Sequence, residues 1–174
     1  MDFQKIDYLK SGTEKQKRAY KALTCHSVIS KLGKFDPILV GTIPINVDTD
    51  KSDLDIICHW KDKADFISTL SSSFKHEKDF NLSEKVKNGN EVVVAKFTID
   101  EFPVEVYGQS TPTTEQNGYR HMIVEYKILQ EKGEDFRMQI VELKKQGYKT
   151  EPAFAKLLGL ENDPFQEILN FRFD

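Results

Sequence analysis

At 174 residues, 39% of them hydrophobic, the chain is long enough for one compact domain that buries roughly 70% of its unfolded surface without help from metal or disulfides. Its 25 basic and 28 acidic side chains give a formal net charge of −3, and no Lys/Arg block marks a stripe for duplex nucleic acid. The two cysteines, Cys25 and Cys58, sit in apolar settings and read as reduced thiols; with no signal-peptide pattern and no apolar run of membrane-spanning length, the expectation is a cytoplasmic protein without a membrane partner.

The first element is announced by Thr13-Glu14-Lys15-Gln16, a capping box with Thr13 as N-cap and Gln16 reaching back. A helix is expected from there to about Leu32, its stripe made by Tyr20, Leu23, Ile29 and Leu32 and its stop by Gly33. Ile38-Leu39-Val40 and Leu54 to Cys58 are apolar runs too short for helices and rich in β-branched residues, so both read as buried strands. The polar loop between them opens at Gly41-Thr42 and closes at Ser52.

Lys61 to Phe74 reads as a second helix that buries Phe66, Ile67 and Leu70 and ends or frays at Ser71-Ser72-Ser73. From Lys78 the period becomes two, and Asn88-Gly89-Asn90 is a hairpin signal before a return strand from Glu91 to Ile99. A turn at Asp100-Glu101 leads into Phe102 to Tyr107. Beyond Thr113 the pattern is helical: a segment capped near Thr113-Gln116 and running to about Gly133, another from Asp135 to Gln146, and two short helices introduced by Pro152 and Pro164. The expected architecture is α+β, a mixed sheet with packed helices over about 1–110 and a helical C-terminal part over about 111–174, all in one domain spanning 1–174.

Asp53 and Asp55 are spaced at period two, so they share one sheet face while Leu54 and Ile56 take the other. Two carboxylates about 4 Å apart at an effective dielectric near 20 repel by about 4 kcal/mol, which calls for a cation, a shared proton or good solvation. Glu105 is a further acid within the apolar run FPVEVY. If its strand lies nearby, the three acids form a set of hard oxygen donors suited to a divalent cation such as Mg²⁺, whose remaining ligands usually come from phosphate and water.

Gly41-Thr42, ten residues, then Asp53-Leu54-Asp55-Ile56, with a later acid in an apolar strand, resembles the signature of the polymerase-beta-like nucleotidyltransferase superfamily. More closely, GTIPINVDTDKSDLDIIC, FPVEVYGQ and EQNGYRHMIVEY resemble a family of small bacterial nucleotidyltransferase-like proteins without an assigned substrate. The resemblance implies the superfamily fold and transfer of a nucleoside monophosphate from an NTP, ATP first among them, to an acceptor hydroxyl with release of pyrophosphate. It implies that Asp53, Asp55 and Glu105 bind Mg²⁺ or Mn²⁺ and act in catalysis, Glu105 also as a proton acceptor. Gly41 and Thr42 are implied to hold the triphosphate; Ser52 and Lys51 are further nucleotide-binding candidates, Lys51 a weaker one. The sequence departs from the superfamily at Thr42, where serine is usual, and at Pro44 and Ile45, which stiffen the loop.

Gln116 and Arg120, one helical turn apart, are candidates to reach phosphate or base, although Arg120 reads equally as a surface arginine. His121 is a candidate base or a packing residue, and Lys127 a weaker phosphate ligand. The acceptor is open among a small molecule, a protein side chain and an RNA end. A nucleotide- or metal-binding module without catalysis and a plain interaction domain are the competing readings.

Overall fold

The computed structural model describes residues 1–87 and 89–173. The capping box forms as expected: the Thr13 hydroxyl accepts from the Gln16 backbone N–H, and the Gln16 side chain accepts from the Thr13 N–H at 2.9 Å. Helix α1 (Glu14–Cys25) stops seven residues before the expected Leu32, because the chain turns at Ser27 with φ 55° and restarts as α2 (Val28–Lys31). His26 N–H bonds back to Ala22 O and Ser27 N–H to Thr24 O, so the break is hydrogen-bonded. Beyond it, Val28 and Leu32 both reach the core.

Strands β1 (Ile38–Val40) and β2 (Leu54–His59) form where the β-branched runs predict them. Helix α3 (Lys63–Phe74) starts two residues later than expected, because Asp62 is its cap and accepts from the Ala64 and Asp65 N–H groups. The three serines do not end it. Phe74 lies beyond them, fully buried and stacked on Phe97 at 4.6 Å between ring centroids, and that packing outweighs the weak helix propensity of serine.

Strands β3 (Lys78–Lys87), β4 (Asn90–Ile99) and β5 (Phe102–Gln109) form the expected meander. Asn88 of the predicted turn lies outside the described residues. The sheet order is β1-β2-β5-β4-β3. Among the described residues only β2 and β5 run parallel, side by side in the sheet.

One face of the sheet, with Leu54, Ile56, Val93, Ala95, Val104 and Val106, packs on α1 and α3. At Gly108 a β-carbon would lie 2.2 Å from the Phe66 ring, so glycine lets α3 sit directly on β5. The opposite face offers Ile38, Val40 and Ile57 to α4 (Asn117–Lys145), α5 (Thr150–Leu158) and α6 (Pro164–Leu169). Helix α4 carries non-helical φ and ψ at Gly133, where the sequence predicts the division between two helices. A 3₁₀ turn, Thr113–Glu115, precedes it, and the Gln116 side chain is used elsewhere rather than as a cap. The layering and element types are those of the expected mixed α+β fold.

Candidate active site

Strand pairing draws a row of residues across the sheet. Val40 of β1 stands opposite Asp55, Asp55 beside Glu105, and Glu105 opposite Lys96. Alternation then sends Asp55 and Glu105 to the face covered by the C-terminal helices, while their apolar neighbours fill the α1/α3 core. Lys96 Nζ lies 2.6 Å from Glu105 Oε2. Asp53 is half-buried just before β2, and its charge acts on Asp55.

Burial pushes the Asp55 carboxyl up to about 7, with the charges of Asp53 and Glu105 adding to the rise and those of Lys96 and Lys144 opposing it. A carboxyl near neutrality here reflects burial first and the neighbouring acids second. Among the described residues, no three His, Cys, Asp or Glu side chains are grouped so as to hold a metal ion as they stand. The side chain of Glu105 is engaged with Lys96.

Gly41 ends β1 at φ 82°, and a β-carbon on it would fall 2.6 Å from Asp55 Oδ2. Glycine is thus required twice over, for the left-handed backbone and for the approach of the carboxylate. The loop that follows is firmly held. The Thr42 hydroxyl bonds Ser52 Oγ at 3.2 Å, Ser52 Oγ accepts from Thr49 N–H at 2.9 Å, and Thr42 O accepts from Val47 N–H at 3.1 Å. Ile43 enters the core under α1 and α3, whereas Ile45 and Val47 enter the core under α4. Gln16 donates to Ile43 O at 2.8 Å, and Arg137 donates to Asn46 O at 3.0 Å. The apolar Ile-Pro-Ile stretch is therefore an anchor for the loop.

These elements border a cavity of about 550 Å³. Gly41, Thr42, Asp55, Glu105 and Ile57 line it from the sheet, Tyr107, Gln109, Lys87 and Asn90 from the β3-β4-β5 side, and Gln116, His121, Met122, Glu125, Thr150 and Glu151 from the helical side. Gln116 is a buried strut: its amide donates to Cys58 O at 2.9 Å and to Thr111 O at 2.8 Å, and its Oε1 is buried without a hydrogen-bond partner. His121 Nε2 bonds Phe165 O at 2.8 Å, which ties α4 to α6 and gives it a packing role.

Asp55, Glu105, Gly41, Thr42 and Gln116 are thus brought to one cavity; Asp53 and Ser52 do not line it, Ser52 bonding the Thr42 hydroxyl and Asp53 preceding β2. Arg120, Lys51 and Lys127 are not. Arg120 is exposed and donates to Asn117 at 3.4 Å, Lys51 is exposed in the loop, and Lys127 is exposed with its Nζ 6.0 Å from the Phe173 ring. Nothing in the helical spacing fixed which way Arg120 faces, and Gln116 takes the inward position alone.

Sequence reasoning missed two groups. Lys96 was accessible to it: a turn at Asp100 and Glu101 sets Ile99 opposite Phe102, and counting back along β4 sets Lys96 opposite Glu105. The other group is Glu125, Lys144 and Glu151. Burial pushes the Glu125 carboxyl up to about 8, with Glu151 adding and Lys144 opposing. Burial likewise holds the Lys144 ammonium below its usual value, and Lys144 donates to the Thr150 hydroxyl at 2.8 Å.

The same fold occurs in solved structures of low sequence identity. The GLD-2/RNP-8 complex matches at a TM-score of 0.53 with 14% identity, over 87% of this chain and 60% of that one. The Cid1 RNA terminal uridylyl transferase matches at 0.53 with 10% identity, over 76% and 41%. The polymerase core of TRAMP, an RNA surveillance complex, matches at 0.50 with 15% identity, over 94% and 50%. The chain therefore spans 60% or less of each of these structures, and the likeness is one of fold. No curated protein matches the chain. Among the described residues, no helix is long and apolar enough to cross a membrane. Residues 21–171 match the family described as "Domain of unknown function (DUF4269)", and the chain belongs to that family.

Proposed function

We propose that this protein transfers a nucleoside monophosphate from an NTP to an acceptor hydroxyl and releases pyrophosphate. The observation that carries the reading is the pairing of Asp55 with Glu105 on the two central parallel strands, with Gly41 pressed against the Asp55 carboxylate at the edge of a cavity. The shared fold supports the class, since the solved structures that carry it include a terminal uridylyl transferase and a polymerase core.

The donor chemistry fits a hard divalent cation. Asp55 is held protonated to about 7 by burial and by its acidic neighbours, and Lys96 meets Glu105 with a positive charge. Asp53, Asp55 and Glu105 would hold Mg²⁺ or Mn²⁺, which when bound neutralises phosphate charge and aligns the triphosphate. For Glu105 this means exchanging Lys96 for the ion.

The chain's own residues have the following roles. The backbone of Gly41 and Thr42 orients the triphosphate, and the hydroxyl pair Thr42–Ser52 keeps that turn in shape. A Glu105 carboxylate oxygen takes the proton of the attacking hydroxyl. The acceptor oxygen bonds to the α-phosphorus, the bond to the bridging oxygen breaks, and pyrophosphate leaves. Gln116 holds the start of α4 against β2 through its bonds to Cys58 O and Thr111 O. The sheet and the C-terminal helices act as one unit in this reading, because the cavity takes its walls from both. Both cysteines are free thiols, in keeping with a cytoplasmic site of action.

One observation favours a second reading. The Lys96–Glu105 pair would suit a nucleotide-binding module in which a lysine permanently replaces one cation. Incubation with NTPs labelled at the α-phosphate, Mg²⁺ or Mn²⁺, and pools of small molecules, proteins and RNA separates the two. The transferase reading expects label on an acceptor and stoichiometric pyrophosphate. Nucleotide binding at Asp55 without label in any pool would establish the module reading instead.

A further inference from the structure

The β3–β4 hairpin sorts its charges by face. Glu84 and Glu91 turn toward α3 and share Lys63, at 2.9 and 2.6 Å. Lys85 and Lys87 alternate to the other face, the one the cavity opens on, and neither forms an ion pair with a described residue. Their Cα atoms, two residues apart on one strand face, are separated by about 7 Å, a spacing at which two ammonium groups bracket a single phosphate. Both lysines are uncovered, because α4 packs on β1 at the far edge of the sheet.

Two exposed lysines alone are a solvated face, and what distinguishes this pair is where it stands. Lys87 lines the cavity with its Nζ 6.0 Å from the centre of the Tyr107 ring, and the amides of Asn90 and Gln109 line the same end. In the transferase reading the triphosphate lies along Gly41 and Thr42, which continue β1 past the row of Asp55 and Glu105 toward the start of β2. An acceptor that attacks in line with the departing pyrophosphate comes from the opposite side. Tyr107 and Gln109 stand on that side, two and four residues beyond Glu105 along β5. The acids elsewhere in the lining have their own counter-charges: Asp55 and Glu105 face the cation of the transferase reading, and the charges of Glu125 and Glu151 both act on Lys144. Glu115, in the 3₁₀ turn, is the remaining acid of the described lining, against the two free lysines of the hairpin.

We propose that the Tyr107 end of the cavity is the acceptor subsite, and that the acceptor carries a phosphate group bracketed by Lys85 and Lys87 at its mouth. The acceptor assignment rests on the transferase reading; the phosphate site does not. The phosphate belongs either to a small phosphorylated molecule or to the backbone of a nucleic-acid single strand, and the same lysines serve both.

The test titrates the full chain, without nucleotide or metal and at 0.1 M salt or about that, with ribose 5-phosphate and with a single-stranded RNA hexamer, ribose being the neutral control. Calorimetry gives affinity and NMR gives the location. The expected result is one-to-one saturation by at least one phosphate-bearing probe, with shifts at Lys85, Lys87 and Tyr107 and affinity at least tenfold above that for ribose. The tighter of the two probes identifies the source of the phosphate. Lys87→Ala and Lys85→Ala, both at exposed positions, should each lower that affinity about fivefold, whereas Lys21→Ala, at an exposed position on α1, should leave it unchanged. Binding no tighter than that of ribose, or a loss in Lys21→Ala as large as in Lys87→Ala, would overturn the proposal. The two claims fail separately. Phosphate binding that depends on Lys85 and Lys87, without label transfer to any acceptor, leaves this subsite standing and removes the transferase. Label transfer to an uncharged acceptor, at a rate that Lys85→Ala and Lys87→Ala do not alter, does the reverse.

Discussion

The two walls of the cavity carry acids of the same chemistry and differ in what fixes them. On the sheet side, Asp55 and Glu105 are set by strand register, in which each residue's facing follows from its neighbours. On the helical side, Glu125 and Glu151 are set by how α4 and α5 pack. The sheet acids are compensated in part by Lys96 at 2.6 Å from Glu105, whereas Glu125 keeps a buried oxygen without a partner. The contrast teaches that strand register fixes the sheet acids one by one, whereas the acids of the helical wall depend on how α4 and α5 pack.

The contrast predicts unequal responses to substitution. Asp55→Asn and Glu105→Gln should each lower transfer by a hundredfold or more, roughly 3 kcal/mol in barrier, while the thermal melt stays cooperative. A loss below tenfold would shift catalysis away from the sheet wall. In the same proteins, Mg²⁺ with NTP should raise the melting temperature of the parent more than either alone, and this gain should vanish in Asp55→Asn.

Asp55 also carries a pH signature. Its carboxyl lies near 7 in the native state against about 4 unfolded. Below about pH 4 it is protonated in both states and Asp55→Asn should be neutral. Between about 4 and 7 the unfolded chain alone ionises, so native stability declines, and above about 7 the penalty is constant. Asp55→Asn should therefore stabilise the metal-free protein by about 2 to 4 kcal/mol at pH 8 and by little at pH 4. Urea unfolding at the two pH values measures the difference, and an equal effect at both would mean that neither burial nor the neighbouring acids raise the Asp55 carboxyl.

Gly41→Ala places a β-carbon 2.6 Å from Asp55 Oδ2 on a backbone of φ 82° and should cost about 1–3 kcal/mol. Lys96→Met removes a largely exposed pair and should change stability by less than about 1 kcal/mol, yet it should push the Asp55 carboxyl further up, a shift readable by NMR titration. Smallest of all, Arg120→Ala should alter neither nucleotide affinity nor stability by more than about 0.5 kcal/mol. A larger loss of affinity would bring Arg120 back into the site.

How far the sequence reached follows the same division. Alternation in Leu54 to Cys58 and in FPVEVY was enough to place β2, β5 and their outward acids, because period two leaves only two facings. The capping box at Thr13 and the glycine at 41 were legible for the same local reason. The break at Ser27 was not, since no glycine or proline marks it and the turn is set by what Val28 and Leu32 reach in the core. Nor was the end of α3, where burial of Phe74 overrides three serines. Glu125 left a trace that was overlooked: it stands in the stripe of His121, Met122, Ile128 and Leu129 at helical spacing, an acid on a buried face. Lys144 and Glu151 left none, because only the packing of α4 on α5 brings them near it.

The central claim is that Asp55 and Glu105 together form the cation and nucleotide site, and a crystal soaked with Mn²⁺ and a non-hydrolysable ATP analogue tests it most directly. The account predicts anomalous manganese density between the two carboxylates, Glu105 released from Lys96, and the triphosphate lying along Gly41 and Thr42. Nucleotide bound elsewhere in the molecule, or triphosphate in the cavity with Glu105 still on Lys96 and no manganese beside Asp55, would contradict it.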